Sequence, residues 1–287
     1  MPDHLRATEN AGLLSFLQAQ LKGWSRTTIK QRLQAGCVSV NGAPVTRHDH
    51  GLAAGDVVEI HSTARKSRPG PASLKILHED PHLIAIDKPA GLLSVGNDQE
   101  TQLHALALLR HQLSRSLPSV KLFPVHRIDR DTSGVLLFAT SREMREAVMS
   151  QWAAAEKTYW AVVEGCPAPA RGTIDRPLRL DEKGCRVHVG NHPGAKPAVT
   201  HYQTERTVGG RSLVRVQLET GRQHQIRAHL AWLGFPVVGD PRYGTAGGRM
   251  GLHALRLKIV HPDTGRELIF EAPVPDDFWA LLGDPSG

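Results

Sequence analysis

Cysteine is scarce in this sequence. Only three of its 287 residues are cysteine, namely Cys37, Cys166 and Cys185, and no CxxC pair occurs. An odd and widely spaced set of this kind is neither a disulfide framework nor the paired-cysteine pattern of a zinc site. We therefore expect reduced thiols in a cytoplasmic protein.

The sequence also lacks a long apolar run. No stretch approaches the ~20 apolar residues that a membrane-spanning helix requires. The first ten residues, MPDHLRATEN, have no apolar segment after a basic start, so we do not expect them to act as a signal peptide. These absences argue against a membrane partner.

Motifs for metals and nucleotides are missing as well. The chain has 16 histidines, but His224 and His229 are five residues apart and are poorly placed to share one face of a helix. No GxxxxGK[ST] occurs, and the glycine-rich segment Gly244–Gly251 lacks the Lys-Ser/Thr pair of a phosphate loop. We expect no metal and no cofactor, and we predict that this segment is a mobile loop.

What the sequence does have is an excess of basic residues. Lysine and arginine number 35 against 28 acidic residues, which gives a formal net charge of +7 and a sequence pI of about 9.6. This balance favours a polyanionic partner, with nucleic acid as the first candidate. The length predicts about two domains, and an apolar content of 40% is ordinary for a soluble globular protein.

The first predicted domain spans residues 12–62. Apolar residues recur at helical spacing from Leu13 to Leu21, and Ser25 is a typical N-cap for a second helix, Arg26–Ala35, that Gly36 ends. Asn41-Gly42 predicts a hairpin turn after a short strand, and a further strand follows the turn at Gly55. Two helices and a small hairpin sheet are therefore expected.

This domain resembles the S4 RNA-binding domain. Ser25-Arg26, the stretch GCVSVNG at 36–42 and Gly55-Asp56 match its pattern, although Leu13-Leu14-Ser15 stands where that domain opens with Arg-Leu-Asp. The resemblance implies that the basic face of the second helix, with Arg26 and Lys30, contacts RNA phosphates. Without the resemblance, an ordinary solvated basic face would be the preferred interpretation.

Residues 63–72, TARKSRPGPA, are rich in basic residues, proline and glycine and predict a linker. The second domain then covers residues 73–283. Its strands mostly follow one another through turns, which predicts an α+β fold with a mixed, largely antiparallel central sheet flanked by helices. We expect helices at Thr101–Arg115, from Ser141 to about Ala154 and at Arg222–Leu233, and a short strand at Leu92–Val95.

One acidic residue of the second domain lies in a basic loop. The stretch VHRIDRDTSGVLLFA at 125–139 places Asp129 between Arg127 and Arg130, just before the apolar strand Val135–Phe138. A nearby guanidinium favours the ionised form of a carboxyl group. Asp129 is therefore a candidate for an ionised carboxylate that takes part in chemistry.

The same stretch resembles the catalytic motif of the RluA-type pseudouridine synthases, with Ile128 where leucine is usual. Three more stretches resemble that family in the expected order: EKTYWAVVEG at 156–165, TGRQHQIRAHL at 220–230 and GDPRYG at 239–244. The resemblance extends from about Ser73 to Phe278. It implies an RNA isomerase that needs no cofactor.

The resemblance also implies roles for single residues. Asp129 would be the nucleophile, Tyr159 the active-site tyrosine, and Arg227 the cation that pairs with Asp129. Arg127 would enter the base stack vacated by the target uridine or hold its phosphate. Further RNA contacts are expected from Lys157, from Arg222, which could instead cap local carbonyls, and from His126, for which a structural role is an equal alternative.

Other functions remain open at this point. One is a non-catalytic RNA-binding or ribosome-assembly protein on the same fold. Another is a glycoside hydrolase in which Asp131 supplies the second carboxylate, although the basic surroundings favour RNA over sugar polymers. As substrate we expect large-subunit ribosomal RNA, with transfer RNA as the second candidate because GLLSV at 91–95 looks like members acting on short stem-loops. We expect a monomer.

Overall fold

The computed structural model divides the chain into two compact units, Met1–Ala72 and Ser73–Gly287. It describes residues 3–21, 23–41, 43–61, 73–96, 103–114, 121–181 and 186–283. The predicted linker at 63–72 lies outside the described residues, as do Gly42 and Cys185. Within these ranges no helix is long and apolar enough to cross a membrane.

The described residues of the first unit form two helices and six short strands. A four-stranded sheet has the order β1-β6-β3-β4, and β2 pairs with β5 separately. The elements are β1 (Asp3–Arg6), β2 (Ala11–Gly12), α1 (Leu13–Gln20), α2 (Arg26–Gln34), β3 (Val38–Val40), β4 (Ala43–Pro44), β5 (Gly51–Leu52) and β6 (Val57–Ile60). Strand β1 pairs with β6, so this sheet includes residues before the predicted start at residue 12.

Helix α2 has the ends that the sequence predicts. The Ser25 hydroxyl accepts a hydrogen bond from the Thr28 amide at 3.0 Å, and Gly36 follows the helix with a φ of 70°. Ile29 and Leu33 turn into the core of this unit. The hairpin is also present, because Val40 pairs with Ala43 across a turn in which Asn41 has a φ of 50°.

The second unit is built on one ten-stranded sheet. Its order is β12-β15-β16-β11-β17-β10-β8-β7, with β18 beside β17 and β9 beside β10, while β13 and β14 form a separate hairpin. The strands are β7 (Lys75–Glu79), β8 (Leu83–Lys88), β9 (Phe123–Pro124), β10 (Ser133–Ala139), β11 (Glu156–Glu164), β12 (Arg171–Asp175), β13 (Leu178–Asp181), β14 (Arg186–Val189), β15 (Val199–Val208), β16 (Arg211–Leu218), β17 (Leu252–Val260) and β18 (Glu267–Glu271). The helices are α3 (Ala105–Leu113), α4 (Arg142–Ser150), α5 (Gln225–Trp232) and α6 (Asp276–Trp279).

Among the described strands of this sheet, β10 and β17 are parallel and every other pairing is antiparallel. The mixed, largely antiparallel sheet is thus confirmed. Strand β10 is buried on both faces. Its alternate side chains point to opposite sides of the sheet. Val135 and Leu137 pack in the cluster of α4, whereas Leu136 and Phe138 pack in the cluster of α3.

Several predicted boundaries are too wide. Helix α3 begins only at Ala105, where the His104 ring caps it by accepting from the Ala107 amide at 3.2 Å, and α4 ends at Ser150 before a separate 3₁₀ turn. Helix α5 begins at Gln225, because the residues before it form the turn of the TGRQH stretch. No strand forms at 92–95, where Leu93 makes a single bridge to His104.

The glycine-rich loop predicted to be mobile is held by its arginine. Arg249 donates to the Ser133 hydroxyl at 2.6 Å and pairs with Asp277 at 2.9 Å. Helix α6 and the start of β10 are thereby joined through this loop.

Gly134 permits the close approach of β10 and β17. It has a φ of 111°, and it is opposite Ala254 in the parallel register. A side chain at this position would collide with the backbone carbonyl of Ala254. The start of β10, and with it the loop that carries Asp129, therefore depends on a glycine here.

We expect Gly134→Ala to lower the free energy of unfolding by about 3 kcal/mol or more, because a backbone collision adds to the strain of a positive φ. Gly210→Ala is the matched control, since Gly210 also has a positive φ but has no described atom within 4 Å of the place that a methyl group would occupy. That control should lose only about 1–2 kcal/mol. Urea unfolding followed by tryptophan fluorescence compares the two, and equal losses would contradict the collision.

Candidate active site

Asp129 lies in a loop that is fixed at several points. The loop joins β9 to β10, and the amide of Thr132 bonds to the Asp129 carbonyl at 3.2 Å. The neighbouring Ile128 is buried, and its amide and carbonyl both bond to the Ser94 hydroxyl, at 3.1 and 2.7 Å. Isoleucine in place of leucine therefore fits an apolar position, and the backbone at Asp129 is held in place.

The side chain of Lys88 also fixes this loop. It is fully buried, and its Nζ donates to the carbonyls of Pro89, Leu92 and Arg130 at 2.9, 2.6 and 3.0 Å. Burial lowers the pKa of Lys88 to about 7, while Asp131 and then Asp129 act in the opposite direction. Three carbonyl acceptors match the three N–H donors of an ammonium group, which favours the protonated form. Sequence reasoning missed this role, because lysines are usually exposed.

Arg227 on α5 is bonded to two carboxylates. Its Nη1 donates to Oδ2 of Asp129 at 2.8 Å, and its Nε and Nη2 donate to the two oxygens of Asp240 at 2.7 and 2.8 Å. Burial disfavours the charged guanidinium, but the hydrogen bonds to Asp240 and Asp129 outweigh it and raise the pKa of Arg227. The structure thus brings together the two residues that the sequence predicts as a pair.

Asp240 is the partner that sequence reasoning missed. It belongs to the GDPRYG stretch, its side chain is inaccessible to solvent, and the amides of Arg242 and Tyr243 also donate to it. Burial raises its pKa, but the bonds from Arg227 and these amides outweigh that effect and lower the pKa below its ordinary value. Asp240 is therefore ionised near neutral pH, and its bonds orient Arg227.

Tyr159 faces the same cleft from β11. The register of β11 against β17 shifts between Thr158 and Tyr159, which is a local bulge. Burial and then the negative charge of Asp129 raise the pKa of Tyr159 well above its ordinary value, so its phenol stays protonated. The cleft has about 450 Å³ of empty space, including its open mouth, and Arg127, Asp129, Tyr159, Arg222 and Arg227 are among its lining residues.

Two of the predicted RNA contacts lie at this cleft. Arg127 is exposed and lines it, so its guanidinium can reach a bound nucleotide. Arg222 is also exposed, and its Nε donates to the Pro197 carbonyl at 3.0 Å. Arg222 therefore caps a carbonyl, which was the alternative interpretation, and it also lines the cleft.

The other two predicted contacts of this unit are engaged elsewhere. The ring of His126 accepts a hydrogen bond from the Leu137 amide at 3.1 Å and packs on Trp152, with a centroid separation of 5.3 Å. Burial, with a contribution from Lys157, lowers the pKa of His126 to about 4. Lys157 is buried with its Nζ 5.6 Å from the Trp152 ring. Both side chains therefore support the loop and β11 rather than a surface for RNA.

Arg26 and Lys30 lie in the first unit, four residues apart on α2, and they therefore share a helix face. Arg26 is exposed and Lys30 is half-buried. Nearby Arg32 is 5.3 Å from the Trp24 ring and is bonded to the His61 carbonyl at 3.4 Å. The basic face of α2 is therefore accessible at its first turns.

The arrangement does not suit a glycoside hydrolase. Such an enzyme needs a second carboxyl group that is protonated and can act as an acid. Asp131 pairs with Arg130 at 3.3 Å and is not among the residues that line the cleft. The second carboxyl group bonded to Arg227 is that of Asp240, and its lowered pKa keeps it ionised. In the part of the chain that is described, no three His, Cys, Asp or Glu side chains cluster as metal ligands.

Known proteins resemble this chain over most of its length. A family model described as RNA pseudouridylate synthase matches residues 82–232. The uncharacterized RNA pseudouridine synthase YlyB of Bacillus subtilis is 35% identical over 93% of this chain and 91% of its own. The ribosomal large subunit pseudouridine synthase D of Nitrosomonas europaea is 35% identical over 98% of this chain and 86% of its own.

Solved structures agree with these sequence matches. Human RNA pseudouridylate synthase domain containing 4 superimposes with a TM-score of 0.61 and 26% identity, over 72% of this chain and 91% of that one. The family match covers more than half of the 287 residues, and it includes Asp129, Tyr159 and Arg227. The chain therefore belongs to the RNA pseudouridine synthase family and is an RNA isomerase.

Proposed function

We propose that this enzyme converts specific uridines of large-subunit ribosomal RNA to pseudouridine, with Asp129 as its nucleophile. The observation that carries the proposal is the single cleft in which Asp129, bonded to Arg227, faces Tyr159. Binding RNA without chemistry would not need a carboxylate held in this way beside a protonated phenol.

The reaction exchanges one bond to the ribose for another. The bond between C1′ and N1 of uracil breaks, the base rotates and a bond between C1′ and C5 forms. The proton on C5 leaves, and N1 takes up a proton. A carboxylate can form a covalent intermediate at the sugar or the base. Arg227 occupies Oδ2 of Asp129, and no described residue donates a hydrogen bond to Oδ1. We propose that Oδ1 is the oxygen that attacks the nucleotide, while Oδ2 stays bonded to Arg227.

We assign Tyr159 to stacking on the base and to hydrogen-bond donation. Its raised pKa keeps the phenol protonated, so direct uptake of the C5 proton by a phenolate is disfavoured. Its flat ring can support a uracil that must turn within the cleft.

A uridine in folded RNA has to leave its base stack before it can reach Asp129. That step costs a few kcal/mol, and the cost is smallest in loops and mismatches. The exposed Arg127 at the cleft is suited to fill the vacated position, because a planar guanidinium stacks as well as it pairs with phosphate.

Ribosomal RNA is proposed as the substrate for two reasons. Relatives from Nitrosomonas europaea and from Escherichia coli, at 35% and 32% identity, are named ribosomal large subunit pseudouridine synthase D. The first unit also has the two helices and small sheet expected of an S4 domain, with Arg26 and Lys30 on one face of α2. We assign this unit to RNA binding and residues 73–283 to catalysis.

Asp129→Asn should abolish pseudouridine formation and leave RNA affinity nearly unchanged, because asparagine keeps the shape but is not a carboxylate nucleophile. Release of tritium from C5 of uridine in a large-subunit ribosomal RNA transcript measures turnover, and a filter-binding isotherm measures affinity. Asp131→Asn is the matched control and should stay active, because this half-buried neighbour lies outside the cleft lining. Turnover by Asp129→Asn would refute the nucleophile, and an inactive wild-type enzyme would favour a purely RNA-binding protein.

Arg227→Lys should slow the single-turnover reaction by about 100-fold, because a lysine keeps the charge but has one nitrogen, which cannot reproduce the planar fork to Asp240 together with the bond to Asp129. Arg222→Lys should change the rate by less than about threefold, since the exposed side chain of Arg222 makes one bond to a carbonyl. Both variants keep the net charge, so the comparison isolates geometry. Similar mild losses in the two would mean that Arg227 does not control Asp129.

Replacing Arg26 and Lys30 together by alanine should flatten the salt dependence of RNA binding by about 1.4–1.8 in the log–log slope, because each phosphate contact contributes about 0.7–0.9. The rate at saturating enzyme should stay the same. The control replaces two exposed, neutral residues of the same helix, Gln31 and Gln34, by alanine. An unchanged slope in the basic-residue variant would remove the face of α2 from the RNA interface.

A further inference from the structure

His224 has a backbone conformation that side chains rarely adopt. Its φ and ψ are 52° and 20°, in the left-handed region, directly before α5. This region is uncommon for residues other than glycine, although asparagine, aspartate and histidine adopt it more often than other residues do. His224 makes no side-chain cap to the helix, so capping does not explain the strain. An observed strained residue that lines a cleft is a reason to look for a function.

The side chain of His224 is directed by Tyr243. Its Nδ1 lies 3.1 Å from the Tyr243 hydroxyl, and the Val187 amide donates to that same hydroxyl at 2.8 Å. The Val187 amide already donates to the phenol oxygen, which favours donation of the phenol's own proton to Nδ1 of His224. A neutral imidazole that accepts at Nδ1 carries its proton on Nε2.

Tyr243 is itself held firmly. Its ring lies between the guanidinium carbons of Arg227 and Arg186, each 5.3 Å from the ring centroid. Cation–π contacts on an aromatic ring favour this arrangement. Tyr243 is therefore fixed by contacts of its ring with Arg227 and Arg186 and by the bond from Val187 of β14 to its hydroxyl. This hydroxyl determines which ring nitrogen of His224 carries the proton.

The Nε2 of His224 points at the reactive carboxylate. It lies 4.0 Å from Oδ2 of Asp129, which is too long for a direct hydrogen bond but short enough for both groups to contact one bound oxygen. Burial lowers the pKa of His224, Asp129 and Asp240 act to raise it, and Arg227 and Arg242 lower it further. The net lowering keeps the ring neutral near pH 7, as the tautomer argument requires.

We propose that His224 is a further hydrogen-bond donor of the active cleft, whose Nε2–H holds an oxygen of the bound nucleotide beside Asp129 while Tyr243 fixes its tautomer. The inference rests on the proposed function, in which Asp129 reacts with that nucleotide. It accounts for the left-handed backbone, the buried ring and the Tyr243 bond together, and no metal or cofactor is needed for it.

Two substitutions of His224 separate a donor from a structural residue. In His224→Gln the side-chain amide nitrogen comes near the position of Nε2, whereas in His224→Asn it comes near Nδ1. Asparagine is also favoured in the left-handed region, and glutamine is not. A donor role therefore predicts that glutamine is the better replacement, and a backbone or Tyr243-contact role predicts that asparagine is.

The measurement is the single-turnover rate at saturating enzyme, with the tritiated large-subunit ribosomal RNA transcript as the probe. We expect His224→Asn to lose about 10-fold or more and His224→Gln less than about threefold, because one positioned donor is lost only in the first. RNA affinity should be similar in both variants, and thermal unfolding identifies a temperature at which both are folded. An asparagine variant as fast as or faster than the glutamine variant would overturn the inference.

A second measurement uses the wild-type enzyme and does not depend on how the variants fold. ¹⁵N NMR of histidine-labelled protein at pH 7.5 reports which ring nitrogen is protonated, and a ring signal missing in His224→Gln or His224→Asn belongs to His224. We expect the neutral form with Nε2–H, and a protonated Nδ1 would overturn the inference. Asp129→Asn in the same rate assay separates the two proposals: if it turns over, the proposed function fails, and if it is inactive while glutamine is no better than asparagine, only the inference on His224 fails.

Discussion

One buried guanidinium determines how the active cleft is built. Arg227 is 8% exposed and joins three different parts of the second unit: its own helix α5, the loop before β10 and the turn after residue 239. A buried charge is costly unless its donors are matched by acceptors. The fold therefore has to keep Asp129 and Asp240 close to Arg227, and each of them in turn depends on the arginine.

The two carboxylates around Arg227 are not equivalent. Asp240 takes two of the nitrogens in a fork, accepts two backbone amides and has no contact with solvent, so every bond it makes is structural. Asp129 takes one nitrogen and is 26% exposed at the cleft. The forked bond fixes the orientation of the guanidinium, which directs Nη1 towards Asp129. One carboxylate thus orients the cation, and the other keeps an oxygen for chemistry.

Local features of the fold could be predicted from the sequence, and long-range ones could not. The Ser25 cap, the glycine at 36 and the Asn41 turn each depend on residues within four positions, and all three are present. The pairing of Asp129 with Arg227 spans 98 residues and was expected only because the motifs resemble a family. Nothing in the pattern around Lys88 or Lys157 indicates burial, since lysines are usually exposed.

The same fixation has a consequence for the RNA. The carbonyl of Arg130 is bonded to Lys88, the backbone of Ile128 to Ser94, and the carboxylate of Asp129 to Arg227, so the proposed nucleophile is held at three points. A nucleophile held in this way does not need to be reoriented during the reaction, which favours catalysis. It also cannot move out to meet a stacked base. The movement has to be made by the nucleotide, and contacts outside the fixed site, such as those of Arg127, have to offset its cost.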